Sequence, residues 1–192
     1  ESLQNRFGEK LYKLTLNIGC TCPNRDGKLG NRGCIFCSAG GSGEFAGDPS
    51  RSVTEQIEAG IRSLKGKRPA SRYIAYFQAY TNTYAPVDYL KKVYQEALNH
   101  PKIAALSIAT RPDCLPPEVL SLLSDLNRKK PVWIELGLQT IHESTAAFIR
   151  RGYPLPVFHQ AVEALHARDL EIIVHVILGL PGETKDMMLD TI

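Results

Sequence analysis

VWIELGLQT, residues 132–140, is the stretch on which the fold turns. Its first seven residues are apolar apart from Glu135, and the run then gives way to Gln139 and Thr140. That near-continuous apolar character suits a strand buried on both faces of a parallel sheet. An unpaired carboxylate at mid-strand is costly to bury, so Glu135 is expected either to be paired internally or to stand beside a site. Gln139, at the end of the run, either caps the following helix or serves that site.

Similar runs recur on both sides: YIAYF (73–77), IAALSIA (103–109) and EIIVHVIL (171–178). KLYKLTLNI (10–18) alternates more like a half-exposed strand. The later apolar runs begin at 73, 103, 132 and 172, separations of 30, 29 and 40 residues. Helical patterns fill the intervals. SVTEQIEAGIRSL (52–64) opens with Ser52 and Glu55 at capping-box spacing and carries Val53, Ile57, Ile61 and Leu64 on one face. PVDYLKKVYQEALNH (86–100) begins with Pro86 at a first helical position and places Leu90, Val93 and Ala97 on a stripe. PPEVLSLLSDL (116–126) repeats the device, and 141–169 has room for two helices broken at RRGYPLP (150–156). This β/α repeat with one extended unit predicts an α/β fold, an open or partial (β/α) barrel, with functional residues at the C-terminal ends of the strands. A doubly wound sheet is the alternative that periodicity leaves open. The last residues, ETKDMMLDTI (183–192), read as the opening of a helix, so the barrel is expected to continue past Ile192.

The 192 residues, 43% hydrophobic and 22% charged, describe one globular domain. No apolar run approaches the roughly 20 residues of a membrane helix, and ESLQNRFGEK lacks the apolar centre of an export signal. A cytoplasmic protein with no membrane partner is expected. The net charge of +3, from 23 basic and 20 acidic residues, permits nucleic-acid binding without arguing for it. The basic clusters at 62–68, 128–130 and 150–151 read as solvated helix ends, where cations are favoured.

Five cysteines, an odd number with no export signal, argue against a disulfide framework. Cys22, Cys34 and Cys37 are separated by eleven and then two residues in CPNRDGKLGNRGCIFC, and Cys20 stands just before them. Four thiolates would make a closed structural zinc site, as in a nucleic-acid-binding zinc module. Three would suit a [4Fe–4S] cluster with one iron left without a protein ligand. The Cys-x-Cys spacing of Cys20 and Cys22 is unusual for zinc, which favours the cluster without excluding zinc. Cys114 reads as a lone buried thiol.

The loop closing on GCIFC after a first strand, together with CPNRDG (22–27), GGSGEFAG (40–47), FQAYTNTYAP (77–86), ATRPDCL (109–115) and ELGLQT (135–140), resembles the radical S-adenosylmethionine (SAM) superfamily. Within it the words are similar to the YhcC/YtqA-type subgroup, akin to the catalytic subunit of elongator and to oxygen-independent coproporphyrinogen oxidase. The resemblance implies a partial (β/α)6 barrel, here truncated after the fifth strand, as one radical SAM core domain over 1–192. It implies an enzyme that binds a [4Fe–4S] cluster through Cys22, Cys34 and Cys37, with Cys20 outside the triad. SAM would bind the open iron and be cleaved reductively to methionine and a 5′-deoxyadenosyl radical that takes hydrogen from substrate. By the same resemblance Phe36 lies against adenine. QAYTNT stands where relatives carry glycines at the SAM amino group, so Gln78, Thr81 and Thr83 line the site. Gln139 reaches the ribose, Arg151 meets the SAM carboxylate, His175 is a polar residue on the SAM side, and Gly179 opens the turn GLPGE that flanks adenine. Ala109 stands where relatives have an acidic residue. Tyr80 is a candidate to face the substrate, and GGSGEFAG to shape a loop over SAM. Kinship to elongator points to tRNA, at the side chain of the wobble uridine, as substrate, with a small molecule or protein as the alternative. Flavodoxin or ferredoxin is the expected electron donor.

Overall fold

The computed structural model describes residues 3–66 and 70–192. Five strands form one parallel sheet: β1 (Tyr12–Leu16), β2 (Tyr73–Phe77), β3 (Ile103–Thr110), β4 (Val132–Gln139) and β5 (Glu171–Val176). Their order is β1-β2-β3-β4-β5. A doubly wound sheet would reverse at a switch point; this one never does. The chain therefore winds in one direction, as the wall of a partial barrel.

The helices are α1 (Leu3–Phe7), α2 (Val53–Leu64), α3 (Val87–Asn99), α4 (Pro117–Asn127), α5 (Glu143–Phe148), α6 (Leu155–His166) and α7 (Lys185–Thr191). The capping box of α2 is formed: the Glu55 amide donates to the Ser52 hydroxyl at 3.2 Å, and the Ser52 amide donates to the Glu55 carboxylate at 2.8 Å. Pro86 precedes α3 as its cap instead of opening it, whereas α4 does open on a proline, Pro117, after the cap Pro116. The short α1 has no counterpart among the expected elements.

One face of the sheet meets the helices. Leu14, Leu16, Ala75, Phe77, Leu106, Ile108, Ile134 and Leu136 form a single buried cluster with Ile57 of α2, Leu90 and Tyr94 of α3, Leu123 of α4 and Leu165 of α6. Each such fully buried leucine, isoleucine or phenylalanine contributes roughly 2 kcal/mol of transfer free energy. The opposite, inner face carries a smaller apolar cluster (Leu11, Ile74, Ala104, Ala105 and Trp133, with Phe7 of α1 against it) toward the N-terminal ends of the strands. Beyond it, toward the C-terminal ends, the inner face turns polar, with Lys13, Tyr76, Ser107, Glu135 and His175.

Among the described residues β5 ends at Val176, pairs with β4 and leaves Ile173, Val174 and Val176 at 39, 43 and 36% exposure. One expectation fails here. The cluster RR (150–151) is no solvated helix end, because Arg151 is 1% exposed. Lys130 does behave as a helix-end cation, donating to the Leu98 carbonyl at the close of α3 and to Ile103. The last two residues of the 62–68 cluster lie outside the described residues.

Candidate functional site

The segment 17–52 joins β1 to α2 without helix or strand, so its shape depends on specific hydrogen bonds. The amides of Arg25 and Asp26 donate to the Cys22 carbonyl at 2.8 and 3.1 Å, and Gly33 donates to Asn24 at 2.8 Å. A tight turn from the Cys37 amide to the Cys34 carbonyl, 3.2 Å, draws the last two cysteines together. The Asn24 side-chain amide then ties this loop to the barrel, donating to the Arg150 and Arg151 carbonyls at 2.8 and 3.2 Å and lying 3.2 Å from the Cys34 sulfur. The Arg25 guanidinium holds the carbonyls of Cys37 (3.1 Å) and Ser38. Gly33, at φ +70°, is needed beneath it: a β-carbon there would lie 2.8 Å from the Arg25 Nε. GGSGEFAG packs on the end of β2. The Tyr80 hydroxyl donates to Ala39 at 2.8 Å, and the Gln78 amide donates to Ser42 at 2.7 Å.

These contacts leave a cleft of about 580 Å³ at the C-terminal ends of the strands. Cys22, Cys34 and Cys37 line it, together with Phe36, Gln78, Thr81, Gln139, Arg151 and His175. The two other cysteines lie elsewhere. Cys20 is buried in the helix-side core, where burial raises its thiol to about 11. Cys114 is buried after β3, and burial raises it to about 12. Cys34 is also shifted up by burial, against the pull of the Asn24 amide and the Arg111 charge. A four-thiolate site that includes Cys20 is therefore not built. Among the described residues no three His, Cys, Asp or Glu side chains close around one metal ion; the three thiols share a wall of the cleft. Three soft thiolates facing open space are a donor set that suits an iron–sulfur cluster with an iron left free.

Two expected residues lie outside the cleft. Thr83 is buried and hydrogen-bonded to Thr110 and to the Cys114 carbonyl. Gly179, at φ +79°, is in the turn after β5 and donates to the Met188 sulfur at 3.0 Å. Arg151 lines the cleft, but its Nη1 donates to the carbonyls of Leu138 (3.1 Å) and Thr140 (2.6 Å), its Nε donates to Tyr153 (3.0 Å), and its Nη2 contacts Glu143 at 3.5 Å. It is a clamp on the strand-four turn, with little donor capacity for a ligand carboxylate. Tyr80 lies against the cysteine loop, its ring where a β-carbon on Gly41 would stand at 2.4 Å.

Several cleft residues were missed by the sequence reading. Arg25, Arg111 and Tyr153 line it and Asn24 braces the loop beside it; all four sit inside the words CPNRDG, ATRPDCL and RRGYPLP. Arg111 donates to Asp113 through Nε and Nη2 at 2.9 and 2.8 Å; burial opposes its charge, but that carboxylate outweighs burial and keeps the guanidinium charged. Tyr153 stacks under Arg111 and Arg151 at 5.0 and 4.7 Å. Its hydroxyl donates to the Gly137 carbonyl and lies 3.2 Å from the Gln139 side-chain oxygen. Gln139 itself breaks the register between β4 and β5 and has φ +64°. Ser42 (+63°) and Tyr80 (+62°), also non-glycine residues in left-handed backbone, line the same cleft. Such strain persists where the surrounding structure imposes it, and it gathers at functional sites.

Below the cysteines the inner face carries a polar row centred on Glu135, almost wholly buried. Its carboxylate accepts from Lys13 of β1, from Ser107 of β3, and from His175 Nε2 of β5 at 2.8 Å. Burial alone would push Glu135 up; the hydrogen bonds from His175, Lys13 and Ser107 outweigh it and hold the acid at about 2. Burial, and then the Glu135 charge it faces, raise the hydroxyl of Tyr76 on β2. Glu135 is thus paired internally and lines the cleft.

Residues 22–192 match the sequence model of the radical SAM superfamily. Curated relatives include the uncharacterized protein YtqA of Bacillus subtilis, 43% identical over 98% of this chain and 59% of its own length. Protein YhcC of Escherichia coli is 42% identical over 99% and 60%. A tRNA uridine(34) acetyltransferase of Methanocaldococcus jannaschii is 25% identical over 80% of this chain and 35% of its own. The chain thus spans about three fifths of YtqA and YhcC. Among solved structures, Elp3 of Methanocaldococcus infernus superposes with a TM-score of 0.66 at 17% identity, over 94% of this chain and 41% of that one.

Proposed function

The chain belongs to the radical SAM superfamily, and from that premise we propose that Cys22, Cys34 and Cys37 hold a [4Fe–4S] cluster and that SAM occupies the cleft beside it. When bound, that pair supplies one-electron cleavage of SAM to methionine and a 5′-deoxyadenosyl radical, which takes a hydrogen atom from substrate. The observation that carries this reading is the separation of the cysteines: three line the cleft while Cys20 and Cys114 are buried away from it. The chain's own residues hold and orient. Asn24 and Arg25 fix the cysteine loop against the strand ends. Phe36 offers an apolar ring at the cleft wall, and Gln78, Thr81 and Gln139 offer amide and hydroxyl groups to a polar ligand. Arg151 serves the site by fixing the Leu138–Thr140 backbone, the role its hydrogen bonds support, in place of a direct contact with the SAM carboxylate.

Anaerobically purified protein is expected to carry iron and sulfide and a brown absorption. Cys34→Ala should lose them and Cys20→Ala should keep them. Stoichiometric zinc in a colourless protein after reconstitution would overturn the assignment.

For the substrate we propose tRNA, at a uridine in the wobble position. Similarity to the tRNA uridine(34) acetyltransferase supports it, and the mild net charge of +3 permits it. An acidic flavodoxin or ferredoxin is the proposed electron donor. Modified nucleosides of total tRNA, compared with and without the gene, test the substrate. An unchanged profile would move the reading to a small-molecule or protein substrate. Binding to tRNA should weaken steeply with salt, because released counterions drive it.

A further inference from the structure

We propose that His175 and Glu135 form a carboxylate–histidine dyad in which His175 Nδ1 accepts a proton from the molecule bound in the cleft. The geometry is that of a base and its orienter. Glu135 accepts from His175 Nε2 at 2.8 Å, so the neutral ring carries its proton on Nε2 and keeps a lone pair on Nδ1. Nδ1 has no hydrogen-bond partner among the described residues. The His175 side chain is 49% exposed, against 1% for Glu135, and both line the cleft. The carboxylate is held ionised beneath the ring by Lys13 and Ser107, so it fixes the tautomer and stabilises the imidazolium once the proton arrives. The charged and titratable groups facing the dyad are Lys13 of β1, Tyr76 of β2 and Glu135 of β4. On β5 itself, Glu171 is occupied by Arg6.

The step is a proton transfer and needs no further reactant: an N–H or O–H bond of the ligand breaks, an Nδ1–H bond forms, and the electron pair stays on the ligand. The ligand class is a substrate with an ionisable N–H or O–H beside the bond that reacts. This rests on the proposed reading only in taking the cleft as the place of reaction; Glu135 is the positioning residue.

The test has two arms on the full-length protein loaded with cluster. With 15N-labelled histidine, long-range proton–nitrogen correlation should show His175 as the Nε2–H tautomer, and Glu135→Gln should convert it to a mixture. An Nδ1–H tautomer, or no change in Glu135→Gln, overturns the dyad. In the second arm, His175→Gln should lower product formation at least 100-fold, with iron and sulfide content unchanged to show that the variant is folded. Wild-type product levels in His175→Gln would overturn it. Loss of cluster or of product in the wild type would instead count against the proposed function, and the tautomer still decides the dyad.

Discussion

Glu135 shows how far a single residue could be read in advance. Its place in an apolar run fixed the requirement that it be paired; its partners come from four other strands, at sequence distances that no local pattern encodes. The same reason hid Asn24 and Arg25, whose roles are set by carbonyls of a distant turn and of the loop itself. It also explains why Arg151, a cation at a helix end in the sequence, is a buried clamp in the fold. Glu135 yields a pH dependence with a definite sign. Its folded pKa, about 2, lies below the ordinary 4.5, so its stabilisation is complete above pH 4.5 and is lost as pH falls toward 2. Between pH 5 and 2.5 the wild type should lose roughly 2 kcal/mol more unfolding free energy than Glu135→Gln. Urea midpoints across that range measure the difference, and parallel curves would show that the hydrogen bonds do not hold the charged form.

At the scale of elements, the repeat of apolar runs placed all five strands and the capping box placed the start of α2. Strand ends were less legible, because they are set where loop contacts begin. β4 is the case in point. It continues through Gln139, whose left-handed backbone shifts the register against β5 and turns the side chain toward Tyr153. Nothing in ELGLQT signals a positive φ. Glycine relieves that conformation and alanine does not, so Gln139→Gly should be more stable than Gln139→Ala by about 1 kcal/mol. This inverts the usual order for a strand residue, and thermal or chemical unfolding of the pair decides it. Alanine as the more stable variant would mean that the backbone at 139 relaxes when the side chain is removed. Both variants should weaken SAM binding if Gln139 contacts it.

For the whole molecule, the sequence motifs pointed to one end of the barrel, and every cleft residue lies there. At the other end lies α1, which no motif announced. Phe7 meets the edge of Trp133 at 6.1 Å, and Arg6 lies 5.8 Å from the same ring and pairs with Glu171. In a β/α barrel the C-terminal face carries chemistry and the opposite face carries stability, and here the two can be separated by experiment. Phe7→Ala removes an aromatic contact of about 1–2 kcal/mol without touching the cleft. It should lower the unfolding midpoint and leave iron content unchanged. Asn24→Ala releases the cysteine loop from the Arg150 and Arg151 carbonyls and should do the reverse, lowering iron occupancy while the midpoint of the metal-free protein shifts far less than in Phe7→Ala. The single tryptophan, Trp133, is buried at the stability end, so its fluorescence reports unfolding of that end directly. Iron loss in Phe7→Ala equal to that in Asn24→Ala would mean that the two ends are not independent, and that the sheet transmits disorder from its base to the cysteine loop.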